Sequence, residues 1–191
     1  MPTLTDIAEQ TKTCTKCPLH KYATNAVPGT GNPNARIIII GEAPGKREDE
    51  QGIPFIGAAG KILNELLTSI DLKREDIFIT NVVKHRPPEN REPTPEEAAA
   101  CRPYLEQQIA IINPEIIVTL GNHALEFING SKGITSLRGK IISREIAGKT
   151  RKIFPTFHPA ALIYNRALRP LAEQDFKRIK AELNQQSLTK F

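Results

Sequence analysis

The sequence has no long apolar run. Its longest uninterrupted aliphatic stretch is 37–40, far short of the roughly 20 residues that a membrane-spanning helix needs, so a helical membrane protein is excluded. The N-terminal residues 1–13 are polar and contain no signal-peptide core, which places the expected location in the cytoplasm. Cysteine is scarce: Cys14, Cys17 and Cys101 are the only three. An odd and small number excludes a disulfide framework. In a reducing compartment a C-x-x-C pair points instead to metal or redox chemistry. Internal repeats and low-complexity tracts are also missing, so a repeat architecture is excluded.

What is present fits a globular enzyme-sized chain. With 191 residues and 39% hydrophobic content there is material for one substantial core and too little for two comfortable ones. One domain over residues 1–191 is therefore expected, acting as a monomer. The net charge of +5 and the pI of about 9.2 suit a phosphate-rich partner. Many proteins with no such partner are equally basic, so this carries little alone.

Segments 36–40, 77–83, 115–120 and 152–157 read as short buried strands, each rich in Ile, Val or Phe and bounded by Gly, Pro or Asn. Helical patterns lie at 57–70, 94–112, 122–128 and about 171–183. Strands alternating with helices predict an α/β fold with a parallel sheet covered on both faces. Ligands bind such sheets beyond the C-terminal strand ends. Those ends carry Gly41-Glu42-Ala43-Pro44-Gly45, then Asn81, Lys84, His85 and Arg86, then Gly121-Asn122-His123, and last His158-Pro159-Ala160.

Cys14-x-x-Cys17 is a metal half-site, because two thiolates at this spacing can turn onto one ion or cluster. A redox dithiol fits less well, since no strand precedes it. Cys101 falls in a helical stretch and alone reads as an ordinary buried cysteine. A fourth donor would come from His20, His85 or His123. His85 lies just past a strand end and can project to a shared site, whereas His20 and His123 read as structural or solvent-facing. Spacing leaves zinc and iron–sulfur equally open.

Several long strings resemble the family 4 uracil-DNA glycosylases. They are CTKCPLH (14–20), GEAPGKREDEQGIPFIGAAG (41–60), ITNVVKHRPPENREPTPEE (79–97), ACRPYLEQQI (100–109), ITSLRGK (134–140) and FPTFHPAALI (154–163). The resemblance runs in register from about residue 11 to about 183. It implies a three-layer α/β/α sandwich with a central four-stranded parallel sheet. It also implies a [4Fe-4S] cluster, ligated in most members by four cysteines. Here the third ligand position is His85, which is similar to a related class that crosslinks to uracil. The ligand set implied is Cys14, Cys17, His85 and Cys101. That class carries an inserted basic loop with a nucleophilic histidine, and no such insertion lies between His85 and Cys101. A hydrolytic, monofunctional enzyme acting on uracil-containing DNA is the expectation.

The resemblance also assigns roles. Phe55 matches the residue that stacks on the base, and Asn81 the one that reads uracil. His158 matches the histidine beside uracil O2, where a donor stabilises the departing anion. Gly41, Glu42 and Ala43 belong to the loop around the base. Ala43 stands where better-known uracil glycosylases place a water-positioning aspartate, which points to leaving-group stabilisation and a bound water in place of a classical general base; Glu42 and Glu48 are the available carboxylates, and Glu42 is the catalytic candidate. Glu48 is placed near uracil C5. Each residue also has a structural reading: a core phenylalanine, a strand-end asparagine capping a turn, a histidine fixed before proline, or solvated loop glutamates.

Lys84, Arg86, Arg91, Arg166 and Arg169 are candidates for phosphate contacts, with Leu162 and Ile163 as a wedge into the base stack. Tyr164 follows where the family usually has arginine. Two other readings compete: a protein that holds or crosslinks uracil-DNA without turnover, and a zinc-dependent nucleic-acid-binding module.

Overall fold

The structure is a computed structural model and describes residues 2–188. In chain order the elements are α1 (Leu4–Lys12), β1 (Thr30–Gly31), β2 (Ile37–Gly41), α2 (Lys46–Gln51), α3 (Ala58–Thr68), β3 (Phe78–Asn81), α4 (Pro95–Ile112), β4 (Ile116–Leu120), α5 (Gly121–Asn129), α6 (Ile134–Leu137), β5 (Ile142–Ile146), β6 (Lys149–Thr156), α7 (Pro159–Tyr164) and α8 (Arg169–Leu188).

The strands form one sheet in the order β1-β3-β2-β4-β6-β5. The four inner strands are parallel, as the alternating pattern predicts. Two antiparallel edge strands enlarge the expected four-stranded sheet to six. Neither edge has an apolar signature. β1 is an exposed Thr-Gly pair, and the middle of β5 is the exposed Ser143-Arg144-Glu145. The β5–β6 turn is made by Ala147 (φ 52°) and Gly148 (φ 72°), the two positive-φ residues that a tight hairpin requires.

Side-chain alternation divides the core into two. Ile37 and Ile39 of β2, with Ile116 and Val118 of β4, face Leu63, Leu66 and Leu67 of α3 and Phe176 and Ile179 of α8. Ile38, Ile40 and Ile117 face the other way, onto Cys101, Leu105, Ile109 and Ile112 of α4. Helices on both faces make the three-layer α/β/α sandwich. α4 begins at a capping box, in which the Thr94 hydroxyl takes the Glu97 amide and the Glu97 carboxylate takes the Thr94 amide.

From β2 the chain moves outward to β3, then crosses back to β4 and β6. Strand order therefore reverses beside β2, and the crevice beyond the C-terminal ends opens there. β3 ends at Asn81, two residues short of the expected strand. Its line is carried on by the Val82 amide to Gly41 O (2.9 Å) and the Val83 amide to Glu42 O (3.2 Å), which tie the two loops of the rim together.

Candidate base-binding site and cysteine cluster

The C-terminal strand ends surround a cavity of about 470 Å³. Glu42, Ala43, Glu48, Phe55, Asn81 and His158 line it. Six of the seven residues expected around the base thus share one cavity. The seventh, Gly41, lies beneath it: a Cβ there would stand 2.5 Å from both Asn81 Oδ1 and the Phe55 ring. Only a glycine lets those two side chains approach the β2 exit together.

Asn81 is 1% exposed, and its Oδ1 has no hydrogen-bond partner among the described residues. A buried unpaired acceptor is costly in a folded protein and marks a place where a ligand completes the bonding.

His158 caps α7. Its Nδ1 accepts from the Ala160 amide at 3.1 Å, so the proton of the neutral ring sits on Nε2. Burial pushes its pKa down to about 4, against the opposing charge of Glu48. The imidazole is therefore a neutral donor at neutral pH. Its ring lies 5.6 Å from that of Phe55, tilted by 36°.

Phe55 is buried yet has a left-handed backbone, φ 52°. The sequence reading puts it in a loop because of the flanking glycines, and that is where it lies, between α2 and α3. Glu48 supports this loop: its Oε1 accepts the amides of Ile56 (2.9 Å) and Gly57 (2.8 Å). Those two bonds engage Oε1, while Glu48 also lines the cavity.

Glu42 is held at the edge of the same cavity. Burial raises its pKa, the charge of His123 lowers it and Glu92 raises it. His123 Nε2 stands 3.8 Å from Glu42 Oε2 and 2.8 Å from Glu92 Oε1. Sequence reasoning set His123 aside as structural or solvent-facing. The signal that could have found it was its place, three residues past β4, on the rim where ligands bind.

The cysteines gather on the α4 side of the sheet. Cys17, Cys101 and His85 are buried and Cys14 is partly so. Burial raises the thiol pKa of Cys17 and of Cys101, and each is raised further by its neighbouring cysteines. The Lys84 amide donates to Cys101, which works the other way. Cys14, His20 and His85 line one cavity of about 230 Å³. His20 Nδ1 donates to Cys17 O at 2.6 Å, a structural role as expected. Among the described residues no three His, Cys, Asp or Glu side chains are close enough to hold a single metal ion.

Two of the expected DNA-facing residues need correction. Lys84 is 0% exposed and cannot reach a phosphate. Its Nζ donates to Thr80 Oγ1 (2.7 Å), Asn81 O (2.8 Å) and Gln108 Oε1 (2.8 Å), and burial lowers its pKa to about 7. Leu162 is 4% exposed and belongs to the core, because α7 turns it inward while Ile163 and Tyr164 face out at 44% and 89%. Arg169 stays partly exposed, in surface pairs with Glu65 and Glu173. Of the remaining cations, Arg91 lines the cavity but pairs with Glu97, Arg86 donates to Asn90, and Arg166 is exposed. No helix among the described residues is long and apolar enough to cross a membrane.

Comparison with known proteins gives a concordant result. Residues 28–184 match the family model described as the uracil DNA glycosylase superfamily. A type-4 uracil-DNA glycosylase of Sulfurisphaera tokodaii is 50% identical over 94% of this chain and 84% of its own length. That of Archaeoglobus fulgidus is 49% identical over 94% and 92%, and that of Thermotoga maritima 50% identical over 92% of each. The cavity at the strand ends, with its unpaired amide and neutral histidine, is therefore carried by a chain that belongs to the uracil DNA glycosylase superfamily and, within it, to the type-4 uracil-DNA glycosylases.

Proposed function

We propose that this chain is a monofunctional uracil-DNA glycosylase, which hydrolyses the N-glycosidic bond of a deoxyuridine flipped out of DNA. The observation that carries the reading is the unpaired Asn81 Oδ1, buried beside Phe55 and the neutral His158. An Asn amide complements uracil: its oxygen accepts from N3–H and its nitrogen donates to O4. Cytosine presents the opposite pattern and would leave both partners unpaired. The base must leave the stack because its glycosidic bond is inaccessible there.

In this reading Phe55 stacks on the uracil face while Asn81 reads its edge. His158 donates through Nε2–H to O2. As the C1′–N1 bond breaks, its electron pair moves onto the uracil ring, and this fixed neutral donor meets the charge as it develops. Glu42 orients the water whose oxygen bonds to C1′, and the displaced water proton ends on the uracil anion. The amides of the Gly41–Gly45 loop add donors. Glu48 acts through the loop that carries Phe55. Arg86 and Arg166 contact phosphate, and Ile163 with Tyr164 is the exposed apolar tip that enters the stack.

Cys14, Cys17, Cys101 and His85 would hold a [4Fe-4S] cluster. The donor set fits: three cysteines within electrostatic reach of one another, and a buried imidazole that shares a cavity with Cys14. A cluster offers several metal atoms, so its ligands need not converge on one point as those of a single ion must. When bound, the cluster supplies a crosslink between the N-terminal segment, the β3 exit and α4. Release of free uracil from an oligonucleotide with a single deoxyuridine, leaving an abasic site, tests the function. A persistent protein–DNA adduct without free uracil would replace hydrolysis with capture.

A further inference from the structure

Phe55 combines two features that rarely occur together. It is a bulky aromatic residue, and its φ of 52° lies in the left-handed region that side chains other than glycine avoid. Such a residue persists only where its surroundings impose the conformation. The surroundings are visible. Arg74 Nη1 donates to Phe55 O at 2.9 Å and Nη2 to Pro54 O at 2.6 Å. The same Nη1 reaches Asn64 Oδ1 of α3 at 3.2 Å, which fixes the guanidinium against the helix. On the other side of the residue, Glu48 accepts the next two amides, of Ile56 and Gly57. Four consecutive residues are thus held by two opposite charges. Gly60 completes the fit, since a Cβ there would stand 1.8 Å from Phe55 O.

Arg74 itself does not line the cavity. It sits in a 3-10 turn (Arg74–Asp76) ahead of β3, at the opposite end of that strand from Asn81. One strand therefore carries the reader of the base edge at one end and the anchor of the stacking ring at the other. We propose that Arg74 is a positioning residue for base excision: its planar fork grips the carbonyls of Pro54 and Phe55 and sets the Phe55 ring for stacking. This rests on the reading of the cavity as the uracil site. A lysine could replace the arginine only in part, because one ammonium has no planar pair of donors to span adjacent carbonyls.

A double-mutant cycle on single-turnover uracil release tests this. Arg74→Ala is expected to slow excision by about 10- to 100-fold, the scale of a misplaced binding group, while affinity for undamaged DNA stays unchanged. Arg74→Lys should recover only part of the rate. In a Phe55→Ala background, Arg74→Ala should cost less than about threefold more, because its effect passes through the ring. Gly60→Ala, which displaces the same carbonyl from its other side, should show the same dependence on Phe55. Melting temperature and iron content are measured on each variant. An Arg74→Ala rate within about threefold of the parent would overturn the proposal. So would an equal loss with and without Phe55, which means a general structural role. An unchanged rate for Phe55→Ala alone would instead refute the cavity as the stacking site, and the proposal with it.

Discussion

Replacing His158 by alanine removes the donor assigned to uracil O2. The structure specifies what is lost. Nδ1 is occupied by the Ala160 amide, so Nε2–H is the ring's one donor. Burial holds the pKa at about 4, so at pH 6 only about 1% of the ring is protonated. The donor is thus a neutral imidazole throughout the working range. Loss of one such preorganised donor costs about 2.7–4 kcal/mol of barrier, or roughly a hundred- to a thousandfold in rate. Single-turnover release of uracil, measured from pH 5 to 9 for the parent and His158→Ala, reads this directly. The parent's rate should show no gain on acidification from pH 7 to 5, because the neutral donor still makes up about nine-tenths of the ring at pH 5. A loss under about tenfold would mean that the Gly41–Gly45 amides dominate. A parent rate that rises with acid, with the rise abolished in the variant, would mean that the charged ring is the active form. The same pKa has a consequence for folding. An unfolded imidazole titrates near 6.5, so between pH 6.5 and 4 the unfolded chain takes up a proton that the folded one refuses. The stability due to His158 is complete above pH 6.5 and is lost as pH falls toward 4. His158→Gln should flatten the melting temperature against pH across that window.

Other perturbations probe the remaining parts of the site. Asn81→Asp should lower uracil excision by about a hundredfold or more and admit some cytosine, since a carboxyl can accept from N4; unchanged uracil release would remove Asn81 from base reading. Gly41→Ala should abolish excision with little loss of melting temperature, because the added methyl meets Asn81 Oδ1 and the Phe55 ring at 2.5 Å; full activity would show that the two side chains do not need that floor. Lys84→Met removes the Nζ donor from Thr80 Oγ1, Asn81 O and Gln108 Oε1, the last keeping only the 3.3 Å bond from the Thr80 hydroxyl, and should destabilise by roughly 1–3 kcal/mol. It should leave the salt dependence of DNA binding unchanged, and a shallower slope would return Lys84 to the phosphate contacts. His85→Cys should retain the iron of the parent and His85→Ala should lose part of it; equal iron in the alanine variant would take His85 out of the ligand set.

The inner strands were legible because four β-branched, Gly- or Asn-bounded runs fill them, and both faces of each run are buried. The edges were not, since an exposed edge strand needs no apolar residues. β1 and β5 are fixed by backbone pairing, and for β5 the positive-φ Ala147-Gly148 turn is the strongest local cue. The cavity residues were legible from their positions at strand ends and from long motif strings. Side-chain direction was not: the sequence could not tell that Lys84 turns into the sheet while Arg86 turns out, or that Leu162 and Ile163, adjacent on α7, face opposite ways. Arg74 escaped because it lies in no motif, and His123, though placed at a strand end, was assigned no partner at the cavity. Each acts on residues distant in sequence, Arg74 on Phe55 and His123 on Glu42, and only the fold brings those pairs together.

The most direct test of the central claim is a base series in one oligonucleotide context. Single-turnover release is measured with uracil, cytosine or thymine at the same position, on protein whose iron content has been determined. Uracil should be excised while cytosine and thymine are left in place, and Asn81→Asp should narrow the gap between uracil and cytosine. Comparable release of cytosine by the unaltered protein, or no release of uracil from folded protein, with or without iron, would contradict the assignment of the cavity as a uracil-reading site.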